Sequence, residues 1–157
     1  MKRLGFAEKW IQWIMTCVKT VKYSVRFNGN LLQSFTPTCG LRQGDPISPY
    51  LFLLCAEAFS AMLHHAEQSG KLKGIKVCNG APSINHLLFA DNSLLLMEAN
   101  ARNAQEVNRI LNIYEACSGQ VVNKEKSTIL YTKNTRPWQK EEVRRCLHIT
   151  TEGLSPK

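Results

Sequence analysis

The stretch "HLLFADNSLLL", residues 86–96, places short apolar runs on either side of Ala90-Asp91-Asn92-Ser93. Asp and Asn both suit turn positions, and Asn tolerates the left-handed conformation. The pattern therefore predicts a strand, a tight turn and a second strand. These residues alone leave two interpretations open. The turn is an ordinary hairpin tip, or it presents the Asp91 carboxylate to Mg²⁺, which takes few protein carboxylates and completes its shell with water and phosphate oxygens.

The whole chain is long enough for one hydrophobic core and carries an excess of positive charge. It has 157 residues, of which 44% are hydrophobic, and a formal net charge of +8. This composition is typical of a globular domain and argues against a disordered chain. The basic residues concentrate near the N-terminus and again in residues 124–145. Such an excess favours a polyanionic partner, because each phosphate neutralised by Lys or Arg releases counterions.

Cysteine spacing and the apolar runs bound the class of protein further. The six cysteines form neither a C-x-x-C pair nor a Cys/His cluster, which argues against a zinc module and favours reduced thiols inside a cell. The basic N-terminus is amphipathic and is interpreted as a helix of the fold rather than a targeting segment. The longest apolar run, residues 49–63, is shorter than a membrane helix requires and contains Glu57, so we expect no membrane contact. A nuclear and an organellar location both remain open.

Hydrophobic periodicity predicts an α+β arrangement of amphipathic helices and short antiparallel strands. A tight turn is expected at Asn28-Gly29, because this pair supplies the positive φ angles of a two-residue hairpin loop. The helix at residues 49–65 is apolar around most of its circumference and is expected to be the most buried. The predicted helices are residues 5–20, 49–65, 101–117 and 137–148, and the predicted strands are residues 23–27, 30–35, 75–78, 84–89 and 126–131.

Two more motifs help to interpret the turn at Asp91. They are "GLRQGDPISPYLFLL", which starts at Gly40, and "CSGQVVNKEKS", which starts at Cys117. With "HLLFADNSLLL" between them, their order and spacing resemble the reverse transcriptases of non-LTR retrotransposons, particularly the LINE-type elements abundant in plants. "LGFAEKWIQWIMTCV" and "FNGNLLQSF", residues 4–18 and 27–35, are similar to the helix and hairpin that precede the loop in that family. The resemblance covers nearly the whole chain.

The resemblance implies a fold, an activity and partners. This chain would supply a partial palm of the right-hand polymerase fold, an α+β unit in residues 1–135. Residues 136–157 would be a C-terminal helix and tail leading toward a thumb. In the family the palm holds two Mg²⁺ ions on three carboxylates, with Mn²⁺ as a possible substitute, and acts on an RNA template and a DNA primer. The metals activate the primer 3′ hydroxyl and stabilise the leaving pyrophosphate.

The resemblance also implies roles for individual residues. Asp91 matches the first carboxylate of the Phe-Ala-Asp-Asp signature, and Asn92 stands where the family has the second. Lys126 is a candidate proton donor to the pyrophosphate, and Lys124 is a candidate nucleic-acid contact. The residues that match the segment lying against the template strand and the nascent base pair are Arg42, Gln43, Gly44, Pro46 and Ser48.

Plainer explanations of these residues remain open. Gly40 and Gly44 are explained equally well by the backbone freedom that the loop needs. Lys124 and Lys126 are explained by a solvated strand end, and His86 by a strand position before the turn.

Two departures from the family bear on activity. The amide of Asn92 is neutral and binds a hard cation less strongly than a carboxylate does. The family's other metal-binding aspartate lies upstream of the first helix seen here, which leaves Asp91 as the one family carboxylate in these 157 residues. We therefore expect weak Mg²⁺ binding and no DNA polymerisation by the isolated chain, even after Asn92→Asp.

Three hypotheses follow for the function of the chain. The first is a palm that works with a separately supplied upstream segment. The second, which these departures favour, is a retroelement remnant that keeps the fold but has lost catalysis. The third is a remnant that binds RNA or DNA through its basic surface. An uncovered sheet edge would in addition favour self-association.

Overall fold

The computed structural model describes residues 1–38, 40–90 and 92–153. The chain divides into two compact units, Met1–Leu54 and Cys55–Lys157. The described residues form four α-helices and two antiparallel sheets of two strands each, which confirms the α+β class. The expected division at residue 135 stays a prediction.

The first unit begins with a short 3-10 turn and helix α1, Glu8–Lys19. Glu8 in its first turn and Lys19 in its last turn complement the helix dipole. The predicted helix is confirmed but begins three residues later, because Gly5 takes a left-handed φ of 83° that ends the preceding turn. Only Ile14 of α1 is buried.

A hairpin follows α1 in the first unit. Asn28 and Gly29 have φ angles of 47° and 82°, the signs that a two-residue hairpin loop requires. The pairing continues to a bridge between Tyr23 and Phe35, whose backbone groups exchange hydrogen bonds of 2.9 and 2.8 Å. This hairpin was predicted and is confirmed. Its strands are Arg26–Phe27 (β1) and Asn30–Leu31 (β2).

Three helices surround the core of the second unit. They are the C-terminal part of α2 (Ser48–Gln68), α3 (Ala101–Ser118) and α4 (Pro137–Leu147). The rings of Phe59 and Tyr114 pack with centroids 4.8 Å apart, which joins α2 to α3. Val143 places α4 on the same core, so the docking of the last helix is settled. The buried core residues are Phe59, Leu63, Ala66, Leu72, Ala104, Val107, Ile110, Tyr131, Val143 and Leu147.

Local signals in the sequence set the ends of α3 and α4. The side chain of Asn100 accepts a 2.8 Å hydrogen bond from the N–H of Asn103, so Asn100 caps α3. Gly119, with φ 72°, ends α3. Pro137 occupies the first turn of α4, where its missing N–H costs nothing. Both helices are confirmed close to their predicted bounds.

The strand predicted at residues 126–131 is wrong. Ile129 instead forms a single parallel bridge with Glu152. The side-chain oxygen of Asn123 accepts a 3.0 Å hydrogen bond from the N–H of Lys126, and this local turn competes with an extended backbone. The strand predicted at residues 75–78 likewise reduces to one bridge between Ile75 and Ile84.

The expectation that α2 is buried around most of its circumference is also wrong. Leu51, Phe59, Leu63 and Ala66 form a buried stripe, whereas Leu53 is 60% exposed. No helix in the described part of the chain is long and apolar enough to cross a membrane. The described cysteines are free thiols, and Cys39 lies outside the described residues.

Candidate functional site

The hairpin predicted around residue 91 is present in the second unit. Strand β3, His86–Phe89, pairs antiparallel with strand β4, Asn92–Leu95. The last pair joins Phe89 to Asn92, and Ala90 follows the end of β3 in a turn. Asp91 lies outside the described residues. The register therefore places Asn92 at the start of β4, directly after the proposed metal ligand.

Ala90 distinguishes this hairpin from an ordinary one. Its φ of 49° is left-handed, a conformation that costs a residue with a Cβ roughly 1–2 kcal/mol. The hairpin in the first unit has Asn28-Gly29 in its loop instead, the pair that turn propensity favours. A strained non-glycine residue at a loop tip is characteristic of functional sites, which favours the second interpretation of the turn.

A polar network joins the base of this hairpin to helix α2. Asn85 is only 3% exposed, and its Nδ2 donates to Oε2 of Glu67 over 2.7 Å. His86 contacts Oδ1 of Asn85 through Nδ1 and Oγ of Ser60 through Nε2, the latter at 2.8 Å. The backbone oxygen of Asn85 also accepts a 2.8 Å hydrogen bond from the N–H of Leu96. Residue 85 is thus tied to both α2 and the end of β4.

No role for these network residues was predicted from the sequence. His86 was assigned only a strand position, and Asn85 and Glu67 none. One signal was available, because Ser60 and Glu67 are two turns apart on α2 and share the polar stripe of an otherwise apolar helix. Burial lowers the pKa of His86 below its usual value, the nearby His64 lowers it further, and Glu67 and Glu57 oppose these effects.

The loop at residues 40–49 lies in the first unit and is held by its own hydrogen bonds. The hydroxyl of Ser48 donates to the carbonyl oxygen of Arg42 over 2.9 Å, and Asp45 Oδ1 accepts a 3.0 Å hydrogen bond from the N–H of Ile47. Gly44 has φ 79°, a conformation that only glycine adopts without strain. The side chains of Arg42 and Gln43 are exposed, so the loop is ordered while these two groups remain accessible.

The segment after α3 carries the candidate lysines. The turn closed by Asn123 and Lys126 is reinforced by the hydroxyl of Ser127, which donates to the carbonyl oxygen of Asn123 over 2.8 Å. Lys124 and Lys126 are exposed, and neither forms an ion pair with a described residue. Their roles as nucleic-acid contact and proton donor stay predictions.

A comparison with protein families finds a match that covers most of the chain. The family model described as reverse transcriptase (RNA-dependent DNA polymerase) matches residues 1–145. The chain belongs to the reverse transcriptase family. Members of this family act on nucleic-acid templates and primers and use divalent metal ions.

Two relatives add to this assignment. An uncharacterized mitochondrial protein of Arabidopsis thaliana is 59% identical over 58 residues, which are 37% of this chain and 48% of that protein. A retrovirus-related Pol polyprotein from the type-1 retrotransposable element R2 of Nasonia vitripennis is 34% identical over 101 residues, which are 64% of this chain and 9% of the polyprotein. The chain thus matches about half of one relative and a small part of the other. The resemblance to the reverse transcriptase domain of a non-LTR retroelement is confirmed.

The described residues of this family member do not by themselves form a metal site. They contain no group of three or more His, Cys, Asp or Glu side chains that could hold an ion. The exposed amide of Asn92 offers one neutral oxygen, and Asp91 lies outside the description.

The predicted site residues fall into two groups. The residues Arg42, Gln43, Gly44, Pro46 and Ser48 share one loop of the first unit. The hairpin residue Asn92 and the lysines Lys124 and Lys126 belong to the second unit.

Proposed function

We propose that this chain is a palm segment of a retroelement reverse transcriptase that contacts template and primer but does not transfer nucleotides. The observation that carries the proposal is the register of β3 and β4, in which Phe89 pairs with Asn92. This register puts the amide of Asn92 at the start of β4, where the family signature has its second carboxylate. The left-handed Ala90 supports a functional loop.

The loss of transfer follows from charge. Asp91 is the proposed ligand for Mg²⁺, or for Mn²⁺, and Asn92 contributes no negative charge beside it. Two divalent ions repel each other strongly at the separation that phosphoryl transfer needs, and carboxylates must compensate this repulsion. With an amide at residue 92 we infer weak metal binding and no organised pair of ions.

Contact with nucleic acid is assigned to the loop at residues 40–49. Arg42 supplies an exposed guanidinium for a phosphate, and the amide of Gln43 both donates and accepts toward a base edge. Gly44, Pro46 and Ser48 shape the loop, since the Ser48 hydroxyl is already engaged by the Arg42 carbonyl. Lys124 is a further proposed phosphate contact, and Lys126 the proposed proton donor of the ancestral reaction.

Primer extension tests the proposal. The full chain is incubated with an RNA template, a labelled DNA primer, nucleotides and either Mg²⁺ or Mn²⁺, beside the variant Asp91→Ala. We expect both proteins to bind the labelled hybrid in a salt-dependent manner and neither to extend the primer. Template-dependent extension that disappears in Asp91→Ala would overturn the loss of transfer. Failure of the folded chain to bind the hybrid would overturn the template contact.

A further inference from the structure

The hairpin of β1 and β2 in the first unit carries a continuous set of apolar side chains on one face. Val25 lies opposite Leu32, whose N–H donates to the carbonyl oxygen of Val25 over 2.8 Å, and Tyr23 pairs with Phe35. Opposed residues share a face and alternate residues of a strand return to it, so Phe27 joins them. We call these five residues the hairpin strip: Tyr23, Val25, Phe27, Leu32 and Phe35.

The hairpin strip is open to solvent and partly ordered by its own contacts. Val25, Phe27, Leu32 and Phe35 are each more than half exposed. The rings of Tyr23 and Phe35 pack against each other with centroids 5.9 Å apart, so these two rings hold each other in position. A contiguous exposed apolar surface of this kind marks a binding site, whereas single exposed apolar residues are ordinary.

The charge of the first unit indicates what class of partner the strip suits. Residues 1–54 contain seven Lys and Arg but only two Asp and Glu. Both acids are engaged, since Glu8 contacts Lys2 over 3.1 Å and Asp45 accepts a hydrogen bond from the N–H of Ile47. This excess attracts a polyanion and opposes the approach of a second copy of the same unit.

Two of these cations adjoin one end of the hairpin strip. Lys22 directly precedes Tyr23 and is exposed, and Arg42 lines the same cavity as Tyr23. Neither cation forms an ion pair with a described residue. The strip is therefore continuous, at its Tyr23 end, with the loop that is proposed to contact phosphate.

The other end of the strip is polar. Beyond Phe27 the hairpin turns through Asn28, Gly29 and Asn30. Insertion of this tip into a lipid bilayer would remove two amide side chains from water without giving them partners. A membrane surface is thus a poorer occupant of the strip than a partner that lies along it in water.

We propose that the hairpin strip is a stacking platform for the unpaired bases of a single-stranded nucleic acid, with Lys22 and Arg42 contacting its phosphates. Every base presents a flat ring face, so stacking on Phe27 and on the pair of Tyr23 and Phe35 tolerates any sequence. Only the role of Arg42 rests on the proposed function, and the strip itself requires neither a metal ion nor nucleotide transfer.

Binding of a labelled single-stranded oligouridylate to the full chain, measured by fluorescence anisotropy, tests the platform. Phe27→Ala should weaken binding by about fivefold or more, the effect of losing one stacked base. Leu31→Ala is the matched control, because Leu31 is 67% exposed and pairs with Arg26 on the opposite face of the hairpin. It should leave the affinity unchanged. Unchanged affinity in Phe27→Ala, or equal losses in the two variants, would contradict the proposal.

Two further substitutions separate stacking from general apolar contact. Phe27→Leu keeps an apolar side chain but removes the ring, and it should weaken binding of the oligouridylate nearly as much as Phe27→Ala. Phe27→Trp enlarges the ring and should bind as tightly as the unmodified chain or more tightly. An unmodified affinity in Phe27→Leu would overturn the stacking role.

An RNA–DNA hybrid without single-stranded ends separates the strip from the proposed template contact. Its bases are paired, so Phe27→Ala should leave the affinity for the hybrid unchanged. An equal loss of affinity for hybrid and single strand would overturn the platform for unpaired bases. Binding of the single strand but not of the hybrid would support the platform and overturn only the template contact.

Two measurements without nucleic acid test other occupants of the strip. Vesicles of phosphatidylserine and phosphatidylcholine should bind more weakly than the oligouridylate, and sedimentation of the chain alone should show no dimer that depends on Phe27. Tighter binding to vesicles, or a dimer, that is lost in Phe27→Ala would overturn the proposal.

Discussion

Glu67 of helix α2 accepts a 2.7 Å hydrogen bond from Nδ2 of Asn85, the residue that precedes strand β3. The amide is almost wholly buried, so this bond replaces contacts that Asn85 would otherwise make with water. The same residue accepts a hydrogen bond from the N–H of Leu96 at the other strand. Asn85 thus joins the start of the hairpin both to its supporting helix and to the residue that follows β4.

Replacement of Asn85 by Ala should destabilise the second unit. The variant leaves the Glu67 carboxylate and a ring nitrogen of His86 without their partner, and we expect a loss of about 1–3 kcal/mol in the free energy of unfolding. Urea denaturation followed by circular dichroism measures it. Asn112→Ala, on the exposed side of α3, should change stability by less than about 0.5 kcal/mol. Similar losses in both variants would remove the special role of Asn85.

Replacement of Ala90 by Gly should stabilise the chain. Glycine adopts a φ of 49° without the Cβ clash, and we expect a gain of up to about 1 kcal/mol after its greater chain entropy is counted. Ala58→Gly on the exposed face of α2 is the control, and it should lose about 1 kcal/mol, since helical glycine is unfavourable. Thermal unfolding measures the change in stability of both variants. A loss of stability in Ala90→Gly, as in Ala58→Gly, would show that Ala90 is not strained.

Restoration of a carboxylate at residue 92 should strengthen metal binding. Asn92→Asp places a second negative charge next to Asp91, and we expect Mn²⁺ to bind roughly tenfold more tightly. Electron paramagnetic resonance of free Mn²⁺ measures the affinity. Asn112→Asp adds the same charge on α3 and should leave the affinity unchanged. A similar increase in Mn²⁺ affinity in both variants would mean that the ion is attracted by net charge and not by the hairpin.

Removal of the Arg42 side chain should weaken binding to an RNA–DNA hybrid. The backbone of Arg42 accepts the hydrogen bond of Ser48, so Arg42→Ala keeps the loop while losing the guanidinium. Fluorescence anisotropy measures the affinity at several salt concentrations. The slope of log affinity against log salt should be smaller in magnitude by about 0.7 to 0.9, the value for one phosphate contact. Arg145→Ala is the charge-matched control on α4 and should keep the slope. Equal slopes for Arg42→Ala and the unmodified chain would exclude the contact.

Truncation of Val143 should reduce the stability of the second unit as a whole. Val143 is 1% exposed and belongs to the core shared by α2, α3 and α4, so Val143→Ala should cost about 1–3 kcal/mol. Trp138→Ala, on the exposed side of α4, should cost less than about 0.5 kcal/mol. The unfolding transition monitored at α4 should coincide with the transition monitored at the core. A separate early transition of α4 would instead support the predicted division at residue 135.

Local patterns explain which elements the sequence predicted correctly. The pair Asn28-Gly29 specifies its turn through backbone preference alone, and Asn100 and Gly119 specify the ends of α3 in the same way. The strand expected at residues 126–131 is wrong because the side-chain oxygen of Asn123 accepts a hydrogen bond from the N–H of Lys126, and this turn competes with extended pairing. The exposure of α2 could not be predicted, since an apolar helix surface is buried only where another element covers it.

The sequence by itself determined the family, the α+β class, the hairpin around Asp91 and the amide at Asn92, because these depend on residue order and local backbone preference. Tertiary structure alone decided that Ala90 is held in a left-handed conformation. It also decided that Asn85 and His86 are bonded to Ser60 and Glu67, which lie far from them in the sequence. Hydrogen bonds between distant residues depend on how helix and hairpin pack, and no pattern along the chain encodes the pairing of their donors and acceptors.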